Sequence, residues 1–430
     1  MNDIDLSANA KATAVADQPA PAVASAAPFG KVLLLGNDDR VLLAVARSLG
    51  RRGVSSHLAW HRATSLARHS RYIARCHQLP PYDRDSDAWL QALREAILRY
   101  EFDLVIPCNE STVVPLQRHR AELNDLQGIY LLDQAAFDVV FSKPRSTALA
   151  AELGIAVPRT MENDGTLVVD EVIERLGLPV MIKPRATFKN QQHAHLVRRI
   201  DTSQQLQDVL RSANQDEAML VQECFVGTGV GVELLAFEGD ILAAFQHQRL
   251  HESIEYGSSY RKSVPLDPEL LEASRKLMAA LRYTGVAMIE FIMNLETRRW
   301  VFLEINGRFW GSLPLAVAAG ADFPSYLYQM LVLGQREFPQ TYRLETYSRN
   351  LLLDFQGLKT RSRSNGLPRR VSLWTIAEDL ATVLRGHDHI DNFSLDDPLP
   401  GVIDLGRIVS QFTRKMASKL SARCLPQRMA

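Results

Sequence analysis

From residue 31 onward the chain alternates short apolar runs with segments of helical period. KVLLLGNDDRVLLAVARSLGRRG predicts a strand over 32–35, a tight Gly36-Asn37-Asp38 turn and a helix over about 40–49. The patterns continue to FDLVIPCNESTVVPL, where a strand over 104–106 ends at Pro107 and presents Asn109 and Glu110. Residues just beyond the carboxyl end of a strand in an open α/β sheet line a ligand crevice or cap the next helix, and the pattern leaves both readings open. SKPRSTALAAELG predicts a helix with Ser142 as N-cap, Pro144 in its first turn and Gly154 as its stop. Lys143 then sits at the positive end of a helix dipole, a conflict that a nearby anion removes. In LGLPVMIKPRAT, Lys183 closes an apolar strand over 180–182, where a charge must reach water or an anion. Taken singly, each lysine reads as surface decoration.

AMLVQECFVGTGVGVELLAF reads as a strand over 219–222, a connector, and a strand over 230–237, with Gly227, Gly229 and Gly231 between them. Such spacing suits a flexible hairpin or a hinge along which a flat nucleobase lies. ILAAFQHQRL then carries His247, Arg249 and His251 in alternation, and Arg261 follows in SSYRKSVP. The histidines form no HExxH and have no cysteine partner, which argues against zinc.

VAMIEFIMNLETRRWVFLEINGRFWGS predicts strands over 286–293 and 300–306 joined by a polar hairpin over 294–299. Symmetry about Thr297 pairs Ile289 with Ile305, Phe291 with Leu303 and Met293 with Val301, an apolar face. On the other face Glu290 opposes Glu304, and Asn306 follows on the same side. Opposed side chains have Cβ atoms roughly 5 Å apart, and like charges there repel by about 3 kcal/mol at an effective dielectric of about 20. A divalent cation offsets that, and two glutamates with an asparagine suit Mg²⁺. Arg308, two residues beyond Asn306, adds a phosphate-binding fork to the same site.

Composition narrows the class. The chain has 430 residues, 46% hydrophobic, with 49 basic and 49 acidic side chains, enough for about three domains. Zero net charge argues against a general nucleic-acid binder. Cys76, Cys108, Cys224 and Cys424 form no CxxC pair, so neither a zinc cluster nor a disulfide framework is indicated and a reducing cytoplasm is expected. No apolar run approaches the ~20 residues that span a bilayer. Residues 1–29, rich in Ala and Pro and without a basic start, read as a disordered tail rather than a leader.

The order of these pieces resembles the ATP-grasp superfamily. Through VQECFVGTGVGVELL, FQHQRLHE, GVAMIEF and LEINGRFWGSLPLAVAAGADFP it is most similar to the carbamoyl-phosphate-synthetase-like carboxylate-amine ligases of bacteria, over roughly residues 31–335. The resemblance implies an α/β (α+β) architecture: a Rossmann-like domain over 30–135, a two-lobed ATP-grasp domain over 136–340 with its lid lobe at about 155–225, and an α-rich extension over 341–430. It implies that Lys143 and Lys183 hold ATP phosphates and that Gln222, Glu223 and Phe225 surround adenine. Glu290, Glu304 and Asn306 become ligands for Mg²⁺, with Mn²⁺ as the alternative ion. Arg308 would stabilise the transferred phosphoryl group, with Arg249 and Arg261 as further catalytic candidates. One departure stands out: KPRATFKNQQHAHLVRRI, where the family carries a glycine-containing lid, has no glycine. Lys189, Asn190 and Gln191 would have to build the lid from side chains.

The implied activity is ADP-forming ligation of a small-molecule carboxylate to an amine through an acyl phosphate. The rivals are phosphorylation of bicarbonate, use of another nucleophile, a regulator that binds nucleotide without turnover, and an oxidoreductase, for which the missing GxGxxG speaks poorly. The closing helix repeats Ile408, Phe412, Met416 and Leu420 at spacing four among basic residues. A basic amphipathic helix can lie on an anionic membrane, but packing on its own domain is the preferred reading. A homo-oligomer is compatible with the sequence.

Overall fold

Four consecutive apolar residues bury β1 (Lys31–Leu35) on both faces, because helices cover both sides of a parallel sheet. Its side chains divide by parity: Val32 and Leu34 enter the main core, while Leu33 and Leu35 pack with Trp89 and Leu93 in a second one. With β2 (Ser55–Ala59), β3 (Ile73–His77) and β4 (Leu104–Pro107) it forms a parallel sheet in the order β3-β2-β1-β4, the expected Rossmann-like opening. The helix Asp39–Arg51 follows β1, and the Asp38 carboxylate caps it by accepting from the Arg40 N–H. This computed structural model describes residues 30–82, 86–163, 165–184, 197–212, 219–253, 257–357, 362–363, 367–368, 381–383, 385 and 387–424.

A small antiparallel sheet follows, in the order β5-β8-β6-β7, from β5 (Thr160–Asn163), β6 (Val180–Pro184), β7 (Arg198–Ile200) and β8 (Met219–Glu223). It has its own core, in which Val180, Ile182 and Val221 meet Val172 and Leu206 of two covering helices.

The large sheet holds β9 (Thr228–Phe237), β10 (Asp240–Ser253), β11 (Gly257–Ser263), β12 (Gly285–Met293) and β13 (Trp300–Asn306). It also takes in β14 (Tyr347–Arg349), the two-residue β15 (Ser362–Arg363) and β16 (Leu367–Pro368), and β17 (Asp388–Ile390). Its main path runs β13-β12-β9-β10-β11-β14-β17, so the segment after residue 341 adds strands to this sheet as well as the helix Leu399–Cys424. On that helix Val402, Leu405 and Val409 are exposed and Ile408 is half-buried, while the side chains of Phe412, Met416 and Leu420 fall outside the described residues. Among the described residues no helix is long and apolar enough to cross a membrane.

Two local expectations change. Ile289 pairs with Ile305 and Glu290 with Glu304 as the alternation requires, but a bulge at Leu303 then shifts the ladder by one residue. Phe291 therefore faces Phe302, and Met293 faces Trp300. Gly229 and Gly231 lie inside β9 rather than in a connector. A Cβ on Gly231 would stand 2.3 Å from the His247 ring, and one on Gly229 2.6 Å from the Arg249 side chain. These glycines make room for side chains of the neighbouring strand.

Candidate active site

The predicted meeting of Glu290 and Glu304 across β12 and β13 is present, and each carboxylate is matched by a cation of the chain itself. Lys143, the first residue of the helix Lys143–Glu152, lies 3.3 Å from Glu304. That ammonium holds the half-buried Glu304 carboxyl down at about 2, with Lys183 and Arg308 acting in the same direction against desolvation. Reciprocally, Glu304 raises Lys143. The awkward cation at a helix N-terminus thus has its anion. Asn306 donates to Glu304 at 3.4 Å, which puts all three expected metal ligands on one face.

Glu290 is engaged from the opposite side. The Arg249 guanidinium crosses β9 over Gly229 and meets it at 2.8 Å, with Glu252 at 3.7 Å. Burial works against the charge on Arg249, but Glu290 and Glu252 outweigh it and raise its pKa, while burial raises Glu252. Two carboxylates and a side-chain amide are hard donors that fit Mg²⁺, and they need only exchange side-chain cations for the metal.

Lys183, the next-to-last residue of β6, lies beside these groups. Burial, reinforced by the Lys143 ammonium, pushes it down to about 8 in spite of Glu304 and Glu290. Its Nζ donates to Gln222 Oε1 at 2.6 Å, and Gln222 in turn donates to the Thr160 hydroxyl at 3.0 Å. Lys183 and Gln222 therefore act as one unit on adjacent strands β6 and β8. The Glu223 carboxylate is taken by Arg159, at 2.6 Å from its Nε, and Phe225 is half-buried just beyond. The lid residues Lys189, Asn190 and Gln191 lie outside the described residues.

On the far side Arg308 reaches the first sheet, donating to Glu110 at 3.1 Å. Asn109 caps the helix Glu110–Arg118 in a capping box with Thr112 and also donates to Asn37 of the turn after β1. Asn109 therefore caps the helix, and Glu110 beside it is paired with Arg308. Against burial, Arg40 lowers Asp38 and Arg308 adds to that, as it does at Glu304, so Arg308 stands between the hairpin and the first sheet.

Arg261 is not brought to this cluster. Its Nη2 meets both oxygens of Asp391 at 2.6 and 2.7 Å, and its Nη1 donates to the carbonyls of Gly311 and Ser258 at 3.3 Å. Its side chain is 1% exposed, which leaves no surface for a substrate.

With this geometry in hand, the comparisons are specific about fold. The family model described as ATP-grasp in the biosynthetic pathway with Ter operon matches residues 215–348, which cover β8 to β13 and the start of β14. Over this stretch and in its fold the chain is similar to ATP-grasp proteins. Solved structures with the ATP-grasp fold agree. N5-carboxyaminoimidazole synthetase from Staphylococcus aureus, complexed with ADP, superposes with a TM-score of 0.60 at 16% identity, over 82% of this chain and 97% of that one. Biotin carboxylase from Campylobacter jejuni gives 0.57 at 15% identity over 74% of each chain. L-amino acid ligase from Bacillus licheniformis gives 0.55 at 16% identity over 71% and 75%. No curated protein sequence matches the chain.

Two features of this site escape alternation arguments. Glu252 joins Arg249 only because β10 carries irregularities between Arg249 and Glu252, so residues three apart share a face. Arg40, paired with Asp38 at 2.8 Å, lies against Gly311 because a helix of one sheet meets a loop of another.

Proposed function

We propose that this protein is an ADP-forming ligase that activates a carboxylate with ATP and joins it to an amine. The observation that carries the reading is the Glu290–Glu304 pair, with Asn306 beside it and Lys143, Arg249 and Arg308 around it. Lys143 and Lys183 would bind the phosphates, with Gln222 orienting Lys183. Glu290, Glu304 and Asn306 would hold Mg²⁺, which when bound supplies neutralisation of phosphate charge. In the first step a substrate carboxylate oxygen attacks the γ-phosphorus, the bond to the β-phosphate oxygen breaks, and ADP leaves. In the second step an amine attacks the acyl phosphate carbonyl, inorganic phosphate departs and the nitrogen loses a proton. The chain's own groups position the reactants and neutralise charge; none needs to become covalently attached.

The test is ADP release from Mg-ATP with pooled carboxylic acids, with and without pooled amines, and with hydroxylamine to trap acyl phosphate. Acid-dependent ADP and hydroxamate, absent in Glu304→Gln, are expected. ATP binding without ADP release across the panel would overturn the ligase reading in favour of a nucleotide-binding regulator. Bicarbonate as the acid shares the first step, and analysis of the product separates it from amide formation.

A further inference from the structure

The proposed reaction makes no use of residues 388–397, DHIDNFSLDD, yet every aspartate in this segment is engaged by an arginine from elsewhere in the chain. Asp388 receives Arg349 Nε of β14 at 2.9 Å and the Tyr260 hydroxyl at 3.0 Å. Asp391 receives Arg261 of β11 in bidentate fashion, together with the Ser348 hydroxyl. Asp396 meets Arg51 at 2.8 Å and the Tyr72 hydroxyl at 2.7 Å. Asp397 takes Arg47 Nε at 2.9 Å, the Ser70 hydroxyl at 2.7 Å and the Arg71 N–H at 2.9 Å. Two of these arginines stand on the large sheet and two on the helix Asp39–Arg51 of the first sheet. The segment therefore straps one layer to the other.

Both ends of the strap lead to the crevice. Arg261, held by Asp391, donates to the Gly311 carbonyl, in the same NGRFWGS loop that carries Arg308. Arg47, held by Asp397 and by the carbonyls of Asn392 and Asp397, sits two turns along the helix whose first turn carries Arg40. The Arg40 guanidinium lies 2.8–2.9 Å from where a Gly311 Cβ would be, so Gly311 is gripped from both sides. A buried ion pair between well-separated segments holds a geometry even where its net contribution to stability is small, because breaking it leaves an uncompensated charge.

Resting on the ligase reading, we propose that two aspartates of this segment, Asp391 and Asp397, position the acceptor side of the site. Asp391 acts through Arg261 on the loop bearing Arg308, and Asp397 acts through Arg47 on the helix and turn bearing Asn37, Asp38 and Arg40. Neither aspartate touches reacting atoms; both are positioning residues for the acid or amine, not for ATP. A shift of about 1 Å in such a constellation costs on the order of 10²-fold in rate.

Asp391→Asn and Asp397→Asn in the full chain test this. Each should raise KM for the acceptor substrate at least about tenfold and leave the ATP dissociation constant within about twofold, a split that general destabilisation does not produce. Asp396→Asn, on a pair whose side chains are 42% and 37% exposed, should leave both unchanged. Hydrogen exchange supplies a readout that needs no substrate: residues 307–312 should lose protection in Asp391→Asn and residues 37–42 in Asp397→Asn, while 286–293 keep theirs in both. Local loosening without any turnover in wild type would retain the strap and sink the ligase reading. Unchanged exchange, uniform loosening, or equal loss of ATP and acceptor binding would overturn the strap. If Asp391→Asn does not fold, Asp397→Asn carries the same comparison.

Discussion

Arg249 and Arg261 face each other across β10 and β11, and from sequence they are interchangeable basic residues on neighbouring strands. The structure separates them. Arg249 leans over Gly229 to Glu290, keeps 18% of its side chain exposed, and shares its charge between two carboxylates at unequal distances. Arg261 is sealed in a bidentate pair with Asp391 and a second set of contacts to backbone carbonyls. The first arrangement can be exchanged for a metal ion; the second can only be broken. What distinguishes a site arginine from a structural one is how completely its partners enclose it.

The comparison is easiest to break through the carboxylates. Glu304→Gln removes a candidate metal ligand and leaves Lys143 without its anion, so ADP formation should fall by roughly 10³-fold, as for loss of a strong preorganised charge. Retained turnover would move the reaction away from the hairpin. Arg261→Met leaves Asp391 buried and uncompensated and should destabilise the fold by about 3–5 kcal/mol, read by denaturant titration. Arg249→Met should reverse the pattern: a large loss of activity, a smaller loss of stability, and tighter Mg²⁺ binding by calorimetry, since its competitor for Glu290 is gone. Equal destabilisation by both variants would erase the distinction.

Much of the hairpin was legible because strand alternation has period two and a polar connection fixes the register, so Glu290, Glu304 and Asn306 fall together without knowledge of the rest. The bulge at Leu303 was not, since an apolar residue in a bulge resembles one in the ladder. The environments of Arg249 and Arg261 were hidden for another reason: both depend on partners brought in by other strands. Arg47 and Asp397 are 350 positions apart, and an acidic run such as 388–397 carries no mark of the arginines it will meet. Local period is written in the chain, whereas the pairing of isolated charges is decided by topology.

The glycines of β9 sharpen the same contrast at smaller scale. Gly231→Ala would press a methyl group into the His247 ring, and the buried His247–Glu233 contact at 2.9 Å has nowhere to move. Overpacking of this kind costs about 1–3 kcal/mol. Gly229→Ala meets Arg249, a longer and partly exposed side chain, so it should cost less stability and instead shift Mg²⁺ binding and activity in the same directions as Arg249→Met, by displacing Arg249 from Glu290. If Gly229→Ala destabilised as much as Gly231→Ala, Arg249 would be as rigid as Arg261.

Lys143 and Lys183 offer the finest test, because the same ammonium group is pulled in opposite directions within one site. Glu304 keeps Lys143 charged well beyond neutral pH, so it contributes no pH dependence there. Lys183, lowered to about 8, begins to lose its proton just above neutrality in the free protein. A bound triphosphate favours the charged form and raises that pKa, so binding above pH 8 must take up a proton. The ATP dissociation constant should therefore be flat below about pH 7 and rise above pH 8 by up to about tenfold per unit, until the pKa of the complex is reached. Calorimetry in two buffers of different ionisation enthalpy measures the proton directly. Lys183→Met should bind more weakly with a flat profile. A flat profile in the wild type would mean that Lys183 does not meet phosphate, leaving Lys143 to hold the nucleotide alone.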